Sequence, residues 1–219
     1  MNMSLIKRDL KLAARSGGAW LLGLAFFMVF LTLTAIALGG DANVMRPLAP
    51  ALIWLAVILS AMLSFSSVFM SDYADGTLEQ LKLSKISMLS LCASKAAAYF
   101  VMAIAPLIIA APIAALAFDL PSQVVWGICF SLFFAAPALS VYGIFASAVM
   151  AGRGTSGFLV ILITAPFLIP LLIFGVAAVD SYVQTGLSAP EFRALAGLSL
   201  IGSAIGLPAA AAALNANLE

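Results

Sequence analysis

Six long apolar runs constrain this chain more than any other feature of its sequence. Each is close to or above the about 20 residues that an α-helix needs to cross a hydrocarbon core about 30 Å thick. Only 9% of the 219 residues are charged, against about 25% in soluble domains. The sequence therefore predicts an all-α integral membrane protein with six transmembrane helices in a single domain. The predicted spans are residues 20–38, 48–70, 92–118, 124–150, 157–178 and 195–214.

Lys and Arg residues are distributed unevenly between the two sides of these spans. Loops on the cytoplasmic side of a membrane carry an excess of Lys and Arg, so we expect both termini in the cytoplasm. The opposite side has only Arg46 and Arg193. Eight basic residues fall on the predicted cytoplasmic side: Lys7, Arg8, Lys11, Arg15, Lys82, Lys85, Lys95 and Arg153. Lys95 begins the third span and is expected to extend its ammonium group towards the cytoplasmic surface.

The first residues are predicted to form an amphipathic helix on the cytoplasmic membrane surface. On a helix with about 100° per residue, the basic residues fall within one arc of about 100° and face the lipid headgroups, while apolar residues face the acyl boundary. Asp9 is the exception, because it falls among the apolar positions. Either Asp9 pairs with a base elsewhere in the assembly, or the helix is rotated or short. The basic residues of this predicted face are Lys7, Arg8, Lys11 and Arg15.

A charged segment, DYADGTLEQLKLSK at residues 72–85, interrupts the apolar pattern between the second and third spans. Thr77 followed by Gln80 matches a capping box, which predicts a short helix that begins at Thr77. Leu78 and Leu81 fall on one face of that helix. A short, rigid helix at the membrane surface suits mechanical coupling to a soluble partner. A solvated loop that returns the chain to the membrane is the alternative.

Prolines interrupt several of the predicted spans. The third and fourth spans are longer than a bilayer requires and contain Pro106, Pro112 and Pro137, so tilt, kinks or short helical breaks are expected to absorb the extra length. In the fifth span, Pro166 and Pro170 are candidate hinge residues, because proline cannot donate the usual backbone hydrogen bond. A hinge or half-helix, and a static kink, are the alternatives for this pair.

Small residues four positions apart recur in three spans and let helices approach closely. Packing within the chain is favoured over a contact with a second copy. The pairs are Ser60 with Ser64, Gly143 with Ser147, and Gly202 with Gly206.

The pattern D-x-x-x-G-T-L-E-Q-L after the second span resembles the coupling segment of ABC exporter permeases. More narrowly, the chain resembles the CcmB family, the haem exporter B subunits of bacterial cytochrome c maturation. The family pattern usually continues L-S-P, whereas this chain has Leu83-Ser84-Lys85, which leaves the end of the short helix open. The stretches that carry the resemblance are RDLKLAAR at 8–15, APALIWLAVILSAMLSF at 49–65, DYADGTLEQLKLS at 72–84, PALSVYGIFASAV at 137–149 and PFLIPLLIFG at 166–175.

This resemblance implies one permease domain over residues 1–219, in the bacterial inner membrane. It comprises a cytoplasmic amphipathic helix (1–18), a six-span bundle (19–214) and a cytoplasmic tail (215–219). A separate ABC subunit would bind ATP and magnesium, and this chain would couple hydrolysis to haem export or to release of a haem-loaded chaperone. The residues implied to contact the ATP-binding subunit are Asp72, Asp75, Gly76, Thr77, Leu78, Glu79, Gln80, Leu81 and Lys82.

The resemblance also implies several partners. They are a second copy of the chain, haem-handling membrane proteins and a periplasmic haem chaperone, with haem as a transported or partner-bound species.

No cofactor of its own is expected, since the sequence has no histidine, the commonest haem and metal ligand. No Walker A pattern is present. A net charge of +1 gives no general attraction to nucleic acid.

Other functions remain as alternatives. An ABC permease that exports another lipid-like or drug-like molecule has the same architecture. A passive scaffold predicts that reversing the charge of Glu79 changes only stability. An intramembrane enzyme is disfavoured, because acid–base catalysis needs titratable groups within reach of one another and the predicted spans have no carboxylate at depth.

Overall fold

The computed structural model describes residues 3–16, 19–65, 67–84, 86–152 and 157–217, and the regular structure in these ranges is helical. A π-helical turn, Phe100–Ile104, joins α6 to α7, and a 3-10 turn, Gly186–Ser188, precedes α10. The α-helices are α1 (Met3–Ser16), α2 (Ala19–Ala37), α3 (Ala42–Phe65), α4 (Ser67–Ala74), α5 (Thr77–Leu83), α6 (Met88–Tyr99), α7 (Ala105–Ala117), α8 (Ser122–Met150), α9 (Gly157–Thr185) and α10 (Pro190–Asn217).

Five helical segments in the described part of the chain are long and apolar enough to cross a bilayer. The predicted all-α architecture is therefore confirmed, the five segments are compatible with a membrane protein, and five of the six predicted spans coincide with helices of spanning length. α2 lies on the remaining predicted span, and its apolar stretch, Leu21–Ala37, is shorter. The five segments are Ala42–Ala74, Met88–Ala117, Ser122–Met150, Leu162–Ser188 and Pro190–Asn217.

α8 lies at the centre of the bundle and packs against α3, α7, α9 and α10. Gly202 and Gly206 of α10 face it closely. A Cβ atom at Gly202 would lie 2.9 Å from the Tyr142 hydroxyl, and one at Gly206 would lie 2.6 Å from Cγ1 of Val141. Glycine at these positions leaves room for the α8 side chains and so lets the two helices pack closely. The prediction that this small-residue pair packs within the chain is confirmed.

Hydrogen bonds donated by buried side chains join α3 to α8 and α6 to α3. The Trp54 indole N–H donates to the Ser131 hydroxyl at 3.1 Å and joins α3 to α8. The Tyr99 hydroxyl at the end of α6 donates to the Ala61 carbonyl of α3 at 3.0 Å. Because these groups are buried, the bonds satisfy polar atoms that would otherwise be costly inside the bundle.

The third span is not one uniform α-helix. Pro106 has no N–H to bond the carbonyl four residues earlier, and its ring crowds that carbonyl. The wider π-helical turn ends at Ile104, two residues before Pro106, and gives the ring space. A local irregularity at a proline, as predicted for this long span, is confirmed.

The fifth span, by contrast, runs unbroken as α9 through Pro166 and Pro170. Of the alternatives for these prolines, the half-helix is therefore wrong, while a hinge and a static kink remain. α9 packs against α3, α8 and α10.

Both described ends of the chain lie at the same end of the bundle, which we call the basic end. Asn217, at the end of α10, donates to a backbone carbonyl at the end of α8 at 3.0 Å. α4 also packs against α8, and Arg8 of α1 bonds Asp72 of α4. At the opposite end, Arg46 pairs with Asp119 in the turn between α7 and α8.

Candidate functional site

The charged segment at the basic end folds as the predicted short helix and begins at Thr77 as predicted, but its N-cap residue differs. Gly76 is the N-cap, with a left-handed φ of 68°, and the described segment shows no side-chain capping bond. The Gly76 carbonyl accepts the Gln80 N–H at 3.3 Å. The predicted N-cap role of Thr77 is therefore wrong, and Thr77 is the first residue of α5. Glycine adopts a positive φ without steric cost, so the chain turns directly into the helix at Gly76.

α5 has an apolar inner face and a polar outer face. Leu78 is only 1% exposed, and Leu81 packs against the same core, so the predicted apolar ridge is confirmed. Asp75, Glu79 and Gln80 are exposed. The remaining predicted contact residues of this helix and its cap are half-buried: Gly76, Thr77 and Lys82.

Leu83 ends α5 and is 83% exposed. Three helical positions, Glu79, Gln80 and Leu83, fall within an arc of about 100°, so Leu83 extends the outer face. Leu83 is not among the contact residues predicted from the sequence. Its place one turn after Glu79 was the signal that would have included it.

Four charged side chains meet at the basic end, and we call them the ionic cluster: Arg8, Asp9, Asp72 and Lys95. Lys95 Nζ lies 2.6 Å from Asp72 Oδ2 and 3.6 Å from Asp9 Oδ2. Arg8 Nη2 lies 2.8 Å from Asp9 Oδ1 and 3.2 Å from Asp72 Oδ2. Each cation therefore contacts both carboxylates, and the cluster joins α1, α4 and α6.

The ionic cluster is largely shielded from solvent. The side chains of Lys95, Asp72 and Asp9 are 7%, 8% and 10% exposed, and that of Arg8 is 29% exposed. Burial lowers the pKa of Arg8, but hydrogen bonds and charge attraction from Asp9 and Asp72 together raise it above its usual value. Buried charges are costly unless paired. Two cations with two anions give a neutral cluster in which each charge has a partner.

Lys95 has two further contacts that fix its ammonium group. It donates to the Val68 carbonyl at 3.1 Å, and it lies 5.2 Å from the centre of the Phe69 ring. Lys95 therefore reaches the basic end, as expected, but its ammonium group is bound inside the protein and is not exposed at the surface. The carboxylate of Asp72 and the carbonyl of Val68 are the hydrogen-bond acceptors that replace water around the buried ammonium group.

The cluster also explains why Asp9 breaks the amphipathic pattern of α1. Asp9 pairs with Arg8 and Lys95 of the same chain. The apolar side of α1 does not only face lipid, because Leu5 and Ile6 are buried and α1 packs on α6.

The predicted basic face of α1 is divided between two environments. Lys7 and Lys11 are exposed, whereas Arg8 turns towards the carboxylates. The predicted role of the Arg15 side chain lies outside the described part of the structure, as do Lys85 and Arg153. Within the described ranges, no group of three or more His, Cys, Asp and Glu residues could hold a metal ion.

Comparison with known proteins identifies the family. The family model described as CcmB protein matches residues 1–217. This chain belongs to the CcmB family. Heme exporter protein B of Bradyrhizobium diazoefficiens is 35% identical over 217 residues, which cover 99% of this chain and 98% of that protein. The CcmB match includes α1, α5 and the whole ionic cluster.

Two further relatives show similar agreement. Heme exporter protein B of Paracoccus denitrificans is 35% identical over 216 residues, which cover 99% of each chain. Heme exporter protein B of Haemophilus influenzae is 34% identical over 220 residues, which cover 99% of this chain and 98% of that protein. The predicted family is therefore confirmed over nearly the full length of a CcmB protein.

Proposed function

We propose that this chain is the membrane permease subunit of an ABC-type haem exporter in cytochrome c maturation. The full-length similarity to relatives named heme exporter protein B supports the substrate class. The observation that carries the proposal is α5: a short helix anchored by buried Leu78 that leaves Glu79 and Leu83 exposed. Such a helix transmits force only if a partner holds its outer face.

The proposed topology has six spans, with α2 as the first. Both termini and the basic end face the cytoplasm of a bacterium, and the membrane is the inner membrane. The location of both described chain ends at one end of the bundle agrees with an even number of crossings. The excess of Lys and Arg at that end supports its cytoplasmic orientation. Exposed Lys7 and Lys11 are the residues of α1 proposed to face lipid headgroups.

The proposed energy source is ATP hydrolysis, with magnesium, on a separate ATP-binding subunit. Asp75, Glu79, Gln80 and Leu83 form the proposed docking face. An apolar centre surrounded by polar groups matches the usual arrangement of a protein interface. Asp72 and Leu78, also predicted as contact residues, are buried, so we assign them to holding α5 in place instead. Gly76, Thr77, Leu81 and Lys82 support the turn and the helix.

Movement of α5 would then change how the spans pack. Two copies of the chain are proposed to pair with two ATP-binding subunits, beside haem-handling membrane proteins that deliver haem to a periplasmic chaperone. The driven step is haem export or the release of haem-loaded chaperone. Pro166 and Pro170 remain candidate hinge positions within the continuous α9. In either mechanism the chain itself is non-catalytic.

A charge reversal on the docking face tests this proposal. Glu79→Lys is expected to leave a folded membrane protein that no longer co-purifies with the ATP-binding subunit and no longer supports cytochrome c assembly. Asp180→Lys, a reversal of another exposed acid on α9, is the matched control and should retain both properties. Normal ATPase binding and normal cytochrome c assembly in Glu79→Lys would reject the proposal and favour a passive scaffold.

A further inference from the structure

The ionic cluster has one unsatisfied atom. Asp9 Oδ2 is buried and has no hydrogen-bond partner among the described residues. It lies 3.6 Å from Lys95 Nζ, too far for a hydrogen bond, while Asp72 Oδ2 holds the same ammonium group at 2.6 Å. A buried acceptor left without a hydrogen bond is costly. Lys95 Nζ thus binds one oxygen of Asp72 and faces a second oxygen, Asp9 Oδ2, that has no hydrogen bond and lies about an ångström farther away.

We propose that Lys95 is a positioning residue that moves between Asp72 and Asp9 as α5 moves, and so transmits that movement to the third span and to α1. This inference rests on the proposed coupling function and adds the residues that carry it. Asp72 is the acceptor in the structure described, and Asp9 is the acceptor after α5 is displaced. Neither residue contacts substrate or nucleotide in this account.

The place of Asp72 in the chain supports this role. Four residues, Tyr73 to Gly76, separate it from the first residue of α5. A displacement of α5 therefore reaches Asp72 after a short distance along the backbone. Asp72 in turn contacts Lys95 on α6 and Arg8 on α1, two helices that are distant from it in sequence.

Charged contacts transmit a movement of α5 to a particular helix better than the apolar contacts of the same region. Apolar packing is non-directional, so Leu78 can slide on its neighbours without pulling a particular helix. A buried charge cannot leave its partner without a large penalty unless another opposite charge replaces it. Asp9 is that replacement, because its free oxygen already faces the ammonium group. The exchange lets α5 move without leaving any of the charges unpaired.

The test uses the complete complex in nanodiscs and native membranes, with cytochrome c formed per ATP hydrolysed as the readout. Asp9→Asn keeps the size of the side chain and the Lys95–Asp72 pair but removes the second anionic acceptor. We expect the ATP-binding subunit to remain bound and ATP hydrolysis to continue, while the yield of cytochrome c per ATP falls about tenfold. Asp9→Glu, which retains a carboxylate, should recover most of that yield.

Lys95→Arg provides an independent test that does not depend on the folding of Asp9→Asn. An arginine fork can bond two carboxylates at once, so it would hold Asp72 and Asp9 together and prevent the exchange. We expect a complex that accumulates normally and hydrolyses ATP, but with a similarly reduced yield per ATP. If the cluster has only a structural role, Lys95→Arg should give a normal yield of cytochrome c per ATP.

The outcomes separate this inference from the proposed function. A normal yield per ATP in Lys95→Arg overturns the exchange, and so does a normal yield in an Asp9→Asn complex that accumulates. If Glu79→Lys also retains the ATP-binding subunit and normal assembly, the proposed function fails as well. If Glu79→Lys loses the ATP-binding subunit while Asp9→Asn and Lys95→Arg give a normal yield of cytochrome c per ATP, only the exchange is rejected.

Discussion

The two ends of the bundle use the same ion-pair chemistry in different environments. At the basic end, Lys95 and Asp72 are 7% and 8% exposed and belong to a cluster of four charges. At the opposite end, Arg46 and Asp119 form a pair with side chains 47% and 80% exposed. Exposed pairs contribute about 0–1 kcal/mol, whereas removing one partner of a buried pair costs about 3–5 kcal/mol. Burial, more than the number of ion pairs, therefore decides which end is sensitive to mutation.

The largest expected effect comes from removing the central cation of the cluster. Lys95→Met should lower the free energy of unfolding by about 3–5 kcal/mol, because Asp9 and Asp72 then share only Arg8. Thermal unfolding in detergent and the amount of protein in the membrane measure this loss. Arg46→Met is the matched control at the exposed pair. Equal losses in the two variants would show that burial does not separate the two ends.

Replacing both members of the closest pair sharpens the same comparison. Asp72→Leu combined with Lys95→Leu removes one charge of each sign and leaves Arg8 with Asp9. The double variant should be close to wild type in stability and so more stable than Lys95→Met by about 3–5 kcal/mol, since apolar residues of similar volume can replace a buried pair at little cost. It should still fail to couple ATP hydrolysis to cytochrome c assembly. Full assembly activity in this variant would mean that the ionic pair is dispensable.

A smaller effect is expected for the exposed apolar residue of the basic end. Leu83→Ala should change stability by less than about 0.5 kcal/mol, because exposed substitutions rarely affect folding. It should weaken binding of the ATP-binding subunit by about 1–2 kcal/mol if Leu83 is an interface anchor. Leu12→Ala, at another exposed leucine of the same end, is the control. Unchanged binding in Leu83→Ala would remove this residue from the docking face.

The smallest expected effect is that of salt on the two ends. The Debye length falls from about 10 Å at 0.1 M salt to about 3 Å at 1 M. The stability difference between wild type and Arg46→Met should therefore vanish at 1 M salt, whereas the difference for Lys95→Met should largely persist. Thermal unfolding of the three proteins at both salt concentrations measures these differences. A large loss of the Lys95→Met effect at high salt would indicate that water reaches the cluster.

The same contrast explains what the sequence could and could not predict. The spans could be predicted because the length of an apolar run is a local property of the sequence, and the six predicted runs lie on helices in the structure. The inner face of α5 was also readable from the spacing of Leu78 and Leu81. The first residue of α5, Thr77, was predicted correctly, but its N-cap was not, because Gly76 and Thr77 both offer a valid N-cap and the positive φ at Gly76 decides between them.

The ionic cluster could not be predicted because tertiary packing assembles it. Its members come from α1, α4 and α6, and no spacing rule relates positions that far apart in sequence. Two signals pointed to it: Asp9 on an otherwise apolar face and Lys95 within an apolar run. Each was an isolated charge in an unfavourable place. The structure shows that they are partners.

The most direct test of the central claim is to purify the tagged chain gently from its native membrane. Mass spectrometry would identify bound proteins, and an absorbance scan would detect a Soret band. The account predicts an ABC ATP-binding subunit together with haem-handling membrane proteins and haem. An ATP-binding subunit without haem or those proteins would retain the permease but assign it another substrate. The absence of any ATP-binding subunit from intact complexes would contradict the proposed role of α5.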